Sequence, residues 1–145
     1  KNSFKVINVD YAEDNNHKKV FATHNGYEQN FGCIHKREIS IDKDTKNLIG
    51  CDELIKKKDG KPLNYNIRFH LYPGLTAVKT ISGNSVLIQL SKNKSLLFTI
   101  MGESISLEKS IFLGSNKILE NTCVTISGNL VNKDKSIHWV IKRNI

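Results

Sequence analysis

Residues 64–72, Asn-Tyr-Asn-Ile-Arg-Phe-His-Leu-Tyr, alternate between two kinds of side chain. Tyr65, Ile67, Phe69 and Leu71 fall on one side; Asn66, Arg68, His70 and Tyr72 fall on the other. A period of two belongs to a half-buried strand, and Pro73-Gly74 then ends it. No window of about 12 residues holds the 3.6-residue apolar period of an amphipathic helix. Looser versions of the strand pattern recur at Phe4–Val9, His17–Thr23, Glu38–Asp42, Leu48–Ile55, Ala77–Ile81, Ser85–Leu90, Leu96–Met101, Ile105–Leu113, Cys123–Val131 and Ile137–Ile141. Gly83-Asn84 and Lys92-Asn-Lys94 have hairpin length and chemistry. Lys56–Pro62, with Asp59-Gly60 at its centre, reads as a loop, and Asn116–Asn121 as room for a single helical turn. Many short strands at roughly 8–12 residue spacing predict an all-β fold, an antiparallel β-sandwich with little helix. No repeat and no boundary interrupts residues 1–145, so one β-sandwich domain is expected.

With 145 residues the chain can enclose a genuine core. It opens on Lys1 rather than Met, which reads as a processed chain or a piece of something longer. No apolar run approaches the roughly 20 residues of a membrane-spanning helix, so no membrane span is expected. The formal charge of +8 suits an acidic partner, although a Lys-, Ile- and Asn-rich composition also follows from AT-rich codons alone. Only Arg37, Arg68 and Arg143 among the 22 basic residues are Arg, the residue that clamps phosphate or sulfate best. Cys33, Cys51 and Cys123 are odd in number and lack metal-ligand spacing; packing as small hydrophobes suits them.

Polar chemistry concentrates between His24 and Arg37, where two His, one Tyr and one Arg are punctuated by Gly26 and Gly32. The stretch reads as a strand end, a glycine turn and a strand entered at the second glycine. His35 and Arg37 are two apart and share a face, as do Arg68 and His70. His24, Tyr27, His35, Arg37, Arg68 and His70 therefore form the candidate polar or glycan-facing cluster. Its architectural reading has these groups bracing one another; its functional reading has them meeting a ligand or another domain.

Several chemistries have no carrier here. There is no Gly-rich phosphate loop, no Gly-x-Ser-x-Gly and no His-Glu-x-x-His. No two carboxylates pair convincingly for glycoside hydrolysis. His24, Asp52 and His70 make a conceivable zinc set without diagnostic spacing, so no metal and no cofactor are expected. Phe69, Phe98 and Trp139 sit in apolar strands and read as core rather than as stacking platforms, which argues against nucleic acid.

The order of short blocks carries more. His24-Asn-Gly-Tyr27 is followed by Gly32, His35 and Arg37, then by Gly50-Cys-Asp-Glu-Leu54, Arg68-Phe-His-Leu-Tyr-Pro73, Leu107-Glu-Lys-Ser110 and His138-Trp-Val-Ile-Lys-Arg143. This series resembles the C-terminal part of bacterial heparinase II/III-like proteins, with Asn25 standing where the family often has Asp. The resemblance implies an N-terminal α/α toroid joined to a C-terminal β-sandwich, and β-elimination of uronate-containing polysaccharides. It implies that the base and acid, Tyr and His, sit mainly on the toroid. The family's metal-site motifs, His-x-His and His-Asn-Thr-like, do not occur here, so no catalytic residue or metal ligand is carried over. The expectation is the rear of such a β-sandwich without its catalytic half. An acidic polysaccharide and the toroid would be its partners, and the location would be periplasmic or secreted. The alternative is a stand-alone glycan-binding or structural β-module.

Overall fold

The computed structural model describes residues 5–58, 62–114, 116–131 and 133–144. The fold is all-β: eleven strands among the described residues, in two antiparallel sheets, with one helical turn. The chain divides into two compact units, Lys1–Asn64 with Asn129–Val140, and Tyr65–Gly128 with Ile141–Ile145.

The first unit holds β1 (Val6–Glu13), β2 (His17–His24), α1 (Glu28–Phe31), β3 (Cys33–Asp42), β4 (Leu48–Lys56) and the start of β11 (Lys135–Asn144). Its strands lie in the order β1-β2-β3-β4-β11. The turns between them follow local chemistry. Asp14 Oδ1 accepts from the backbone N–H groups of Asn16 and His17, and Asp42 Oδ1 accepts from those of Asp44 and Thr45. Both are Asx turns, in which a short side chain stands in for a backbone carbonyl. Gly50, in mid-strand, permits a close approach: a methyl group there would overlap the benzo ring of Trp139.

The second unit holds β5 (Leu63–His70) from Tyr65 onward, β6 (Thr76–Lys79), β7 (Ser85–Ser91), β8 (Lys94–Ile100), β9 (Ser104–Gly114) and β10 (Lys117–Leu130) as far as Gly128. Here β8-β7-β6 are consecutive in one sheet and β5-β10-β9 form the other. Phe69 of β5 meets Phe98 of β8 edge-to-face at 4.9 Å, so the inner faces of the two sheets interdigitate as in a sandwich. Val86, Ile88, Ile105, Val124 and Ile126 are buried alongside. The β5 alternation holds residue by residue: Ile67 is buried while Asn66, Arg68 and His70 are exposed.

Two expectations change. The helical turn forms at Glu28–Phe31, not at Asn116–Asn121. Gly32 caps it with φ 61°, a left-handed conformation that glycine adopts without a Cβ penalty, and donates its N–H to Glu28 O at 2.8 Å. Lys117–Asn121 instead continues β10, paired with β9 from Gly114 back to Ser110. The expected strand beginning at Phe4 and the Asp59-Gly60 turn lie partly or wholly outside the described residues.

Candidate functional site

The register of the first unit puts polar groups from three strands on one face. His24 faces His35 across β2 and β3, and Arg37 faces Asp52 across β3 and β4. Residues two apart on β3 share that face, so His35 reaches Asp52 diagonally. The Asp52 side chain is fully buried. Burying an unpaired carboxylate would cost several kcal/mol, so its lone pairs must be filled. Three donors fill them. His35 Nε2 and Arg37 Nε each lie 2.7 Å from Oδ1, and Trp139 Nε1 donates to Oδ2 at 2.8 Å. Burial alone would push the Asp52 carboxyl up; the bonds from His35 and Arg37, the Arg37 charge and the Trp139 bond outweigh it and hold the group below its ordinary range.

The histidines continue the chain outward. The Gly26 backbone N–H donates to His24 Nδ1 at 3.2 Å, so that nitrogen carries a lone pair. The ring hydrogen of neutral His24 is then on Nε2, which lies 3.0 Å from His35 Nδ1. His35 Nδ1 accepts, which leaves its hydrogen on Nε2 for Asp52. Both nitrogens of both rings are thus used inside the cluster. Burial, and after it the electrostatic influence of the neighbouring His35 ring, moves the His24 pKa down. Tyr27 packs edge-on against His24 at 5.2 Å and against Phe31 at 6.3 Å, while staying 47% exposed.

This arrangement braces; it is poorly suited to proton transfer. A His–Asp pair resembles two thirds of a hydrolytic triad, but the general base needs a free nitrogen toward its substrate, and His35 has none. Cys51 Sγ lies 4.0 Å from His138 Nε2. Burial and the carboxylates of Glu53, Asp52 and Glu38 raise the Cys51 thiol, against thiolate formation. Among the described residues no three His, Cys, Asp or Glu side chains gather as metal ligands.

The structure therefore brings together His24, Tyr27, His35 and Arg37. Arg68 and His70 belong to the second unit, where Arg68 pairs with Glu108 at 3.4 Å and His70 Nδ1 with Ser110 Oγ at 3.1 Å. The hub, Asp52, enters the sequence reading as a conceivable zinc ligand and as a member of the Gly50–Leu54 block, and Trp139 as core and as a member of the closing block; neither is placed in the polar cluster there. The available signal was an acid two residues past Gly50 in the middle of an apolar strand.

Solved structures share this fold. The heparan sulfate lyase HepC from Pedobacter heparinus superimposes with a TM-score of 0.78 at 14% identity, over 97% of this chain and 21% of the lyase. A heparinase III gives 0.74 at 18% identity, over 97% and 21%. A heparinase III with methylated lysines gives 0.74 at 13%, over 99% and 23%. The chain thus spans about a fifth of the length of these proteins. No curated protein matches it by sequence. The family described as heparinase II/III-like, C-terminal, matches residues 3–140, nearly the whole length, and the chain belongs to that family.

Proposed function

We propose that this chain is the C-terminal β-sandwich domain of a polysaccharide lyase that cleaves acidic, uronate-containing glycans by β-elimination, and that the domain itself is not catalytic. In that chemistry a base removes the proton at C5 of the uronate, and the 4-linked sugar leaves. The observation that carries the non-catalytic reading is the closure of the cluster. Every ring nitrogen of His24 and His35 is bonded within it, and the Asp52 carboxylate is buried under three donors. Family membership and the lyase-like fold support the parentage. His24, Tyr27, His35 and Arg37 then act as a brace that sets the shape of the domain.

The rival, a stand-alone glycan-binding module, draws on the outer face of β5. There Arg68 and His70 are exposed, and just beyond them Tyr72 is 69% exposed with its ring held against Phe112. Exposed aromatic and basic side chains in a row suit an anionic sugar.

The test is ultraviolet absorbance, because elimination creates an unsaturated uronate. The 145-residue chain should give no absorbance growth on heparin, heparan sulfate or alginate, and the natural gene product containing it should give growth on at least one acidic glycan. Activity of the chain alone would overturn the non-catalytic assignment. A gene product that binds these glycans without cleaving any would favour the rival.

A further inference from the structure

Three side-chain contacts in register cross the outer face of the β5-β10-β9 sheet. Residues 68, 70 and 72 stand two apart along β5 and just past its end, and residues 108, 110 and 112 do the same on β9. Arg68 pairs with Glu108 at 3.4 Å, His70 Nδ1 lies 3.1 Å from Ser110 Oγ, and the Tyr72 and Phe112 rings meet edge-to-face at 5.6 Å. β10 lies between the two strands, so each contact passes over it. Asn121 and Cys123 of β10, paired with Ser110 and Glu108, form the floor and are 7% and 1% exposed. Steps of two residues set the rungs about 7 Å apart, so the row is longer than one sugar ring.

The row changes chemistry along its length, from an ion pair through an imidazole and a hydroxyl to an aromatic pair. Unlike the cluster around His24 and His35, it is open. The Glu108 contact engages one guanidinium nitrogen of Arg68, whose side chain stays 52% exposed. Among the described residues only Nδ1 of the exposed His70 is engaged. Tyr72 is 69% exposed. Below, Asn121 donates Nδ2 to Leu71 O at 2.7 Å, while its buried Oδ1 has no partner among the described residues. An unfilled buried acceptor beneath open donors gains from any ligand hydroxyl that reaches it.

We propose that this row is a sugar-binding subsite for an acidic polysaccharide, with a pyranose ring against the face of Tyr72 and a uronate carboxylate on Arg68 and His70. The choice of a uronate rests on the lyase parentage proposed above. Charge agrees with it, because the second unit carries eight Lys and Arg against three Glu and no Asp. Arg68 supplies the planar fork that matches a carboxylate. The C–H face of a pyranose is apolar and packs on an aromatic ring, while its hydroxyls find His70, Ser110 and Asn121 alongside.

Affinity gel electrophoresis tests this on the 145-residue chain and on the natural gene product, with alginate and heparan sulfate as uronate polymers and dextran sulfate as an anion without carboxylate. The uronate polymers should retard both proteins. Tyr72→Ala and Arg68→Ala should each weaken that binding by about two- to tenfold, the scale of one aromatic or charge-assisted contact, with the denaturation midpoint almost unmoved. Dextran sulfate should hold the parent chain and Tyr72→Ala equally, and Lys79→Ala, on β6, should leave uronate binding as it was. No retardation of the chain by either uronate polymer would overturn the proposal. So would a loss in Lys79→Ala as large as that in Arg68→Ala, since binding would then be diffuse charge. A gene product that holds these polymers through the row yet cleaves no acidic glycan removes the lyase parentage and leaves the row standing. A lyase whose KM for its polymer is untouched by both row substitutions removes the row alone.

Discussion

His35 and Asp52 are joined at 2.7 Å between strands, and the same carboxylate oxygen takes the Nε–H of Arg37 at 2.7 Å. Asp52 therefore holds three elements at one point: β3 through His35 and Arg37, β4 through its own backbone, and β11 through Trp139. Asp52→Asn replaces a charge by an amide whose N–H₂ cannot accept, which leaves Arg37 without its counter-charge and one donor facing another. Loss of one partner of a buried charged pair costs roughly 3 kcal/mol or more. Urea denaturation of the variant beside the parent chain checks it, and an unchanged midpoint would remove Asp52 as the hub.

Arg37 and Arg68 should behave differently although both form ion pairs. Arg37 is two-thirds covered and donates to a fully buried carboxylate, so Arg37→Ala should cost roughly 1–3 kcal/mol. Arg68 is 52% exposed and meets a half-exposed Glu108, so Arg68→Ala should cost less than about 0.5 kcal/mol. Paired denaturant melts decide this. Equal, negligible losses would mean that Arg37 is idle in the isolated domain and reserved for a partner.

Stability should fall in two stages on acidification. His24 has its pKa lowered from the ordinary 6.5, so the folded state resists a proton that the unfolded chain accepts. Its contribution is full above 6.5 and is lost as the pH falls through the lowered value. Asp52, lowered from 3.8, contributes above that value and loses its share as the pH falls through its own lower pKa. His24→Gln, which keeps a donor and an acceptor but does not titrate, should remove the first stage and leave the second. Denaturant midpoints from pH 8 to pH 3 separate the two; a first stage that survives the substitution would assign it to another group.

Gly50→Ala should destabilise the chain, against the usual preference of a strand for alanine over glycine, because the added methyl overlaps the Trp139 ring. Overpacking of this kind costs roughly 1–3 kcal/mol. Thermal melts should also show that Gly50→Ala combined with Trp139→Leu loses less than the two single changes added together. Strict additivity would contradict the clash.

The legible parts of this fold were those written in adjacent residues. The alternation over 64–72 set the faces of β5 down to the burial of Ile67 and the exposure of Arg68 and His70. The helical turn is illegible in the sequence because four residues, Glu28–Phe31, are too few to show a period, and Lys117–Asn121 is strand only through its pairing with β9. Equal spacing also made Arg68-x-His70 look like an extension of His35-x-Arg37, yet the pairs answer to different neighbours, Glu108 and Ser110 in one case and Asp52 in the other. Asp52 was the hardest to see. Its donors stand 15, 17 and 87 residues away, and which strands lie side by side is decided by register rather than by any local pattern.

Ahead of β1, Lys5 and Asn25 clasp each other twice, with the Lys5 N–H on Asn25 Oδ1 at 2.8 Å and the Asn25 N–H on Lys5 O at 3.2 Å. The next amide is Gly26, whose hydrogen dictates which tautomer His24 adopts. If the clasp opens and that peptide turns, one of two restraints on the His24 tautomer is lost, while the Asp52 carboxylate, which can only accept, still keeps the hydrogen on His35 Nε2 and so leaves His35 Nδ1 to accept from His24. The histidine pair is thus moored at both ends, to a peptide N–H at the edge of the sheet and to a carboxylate in its interior.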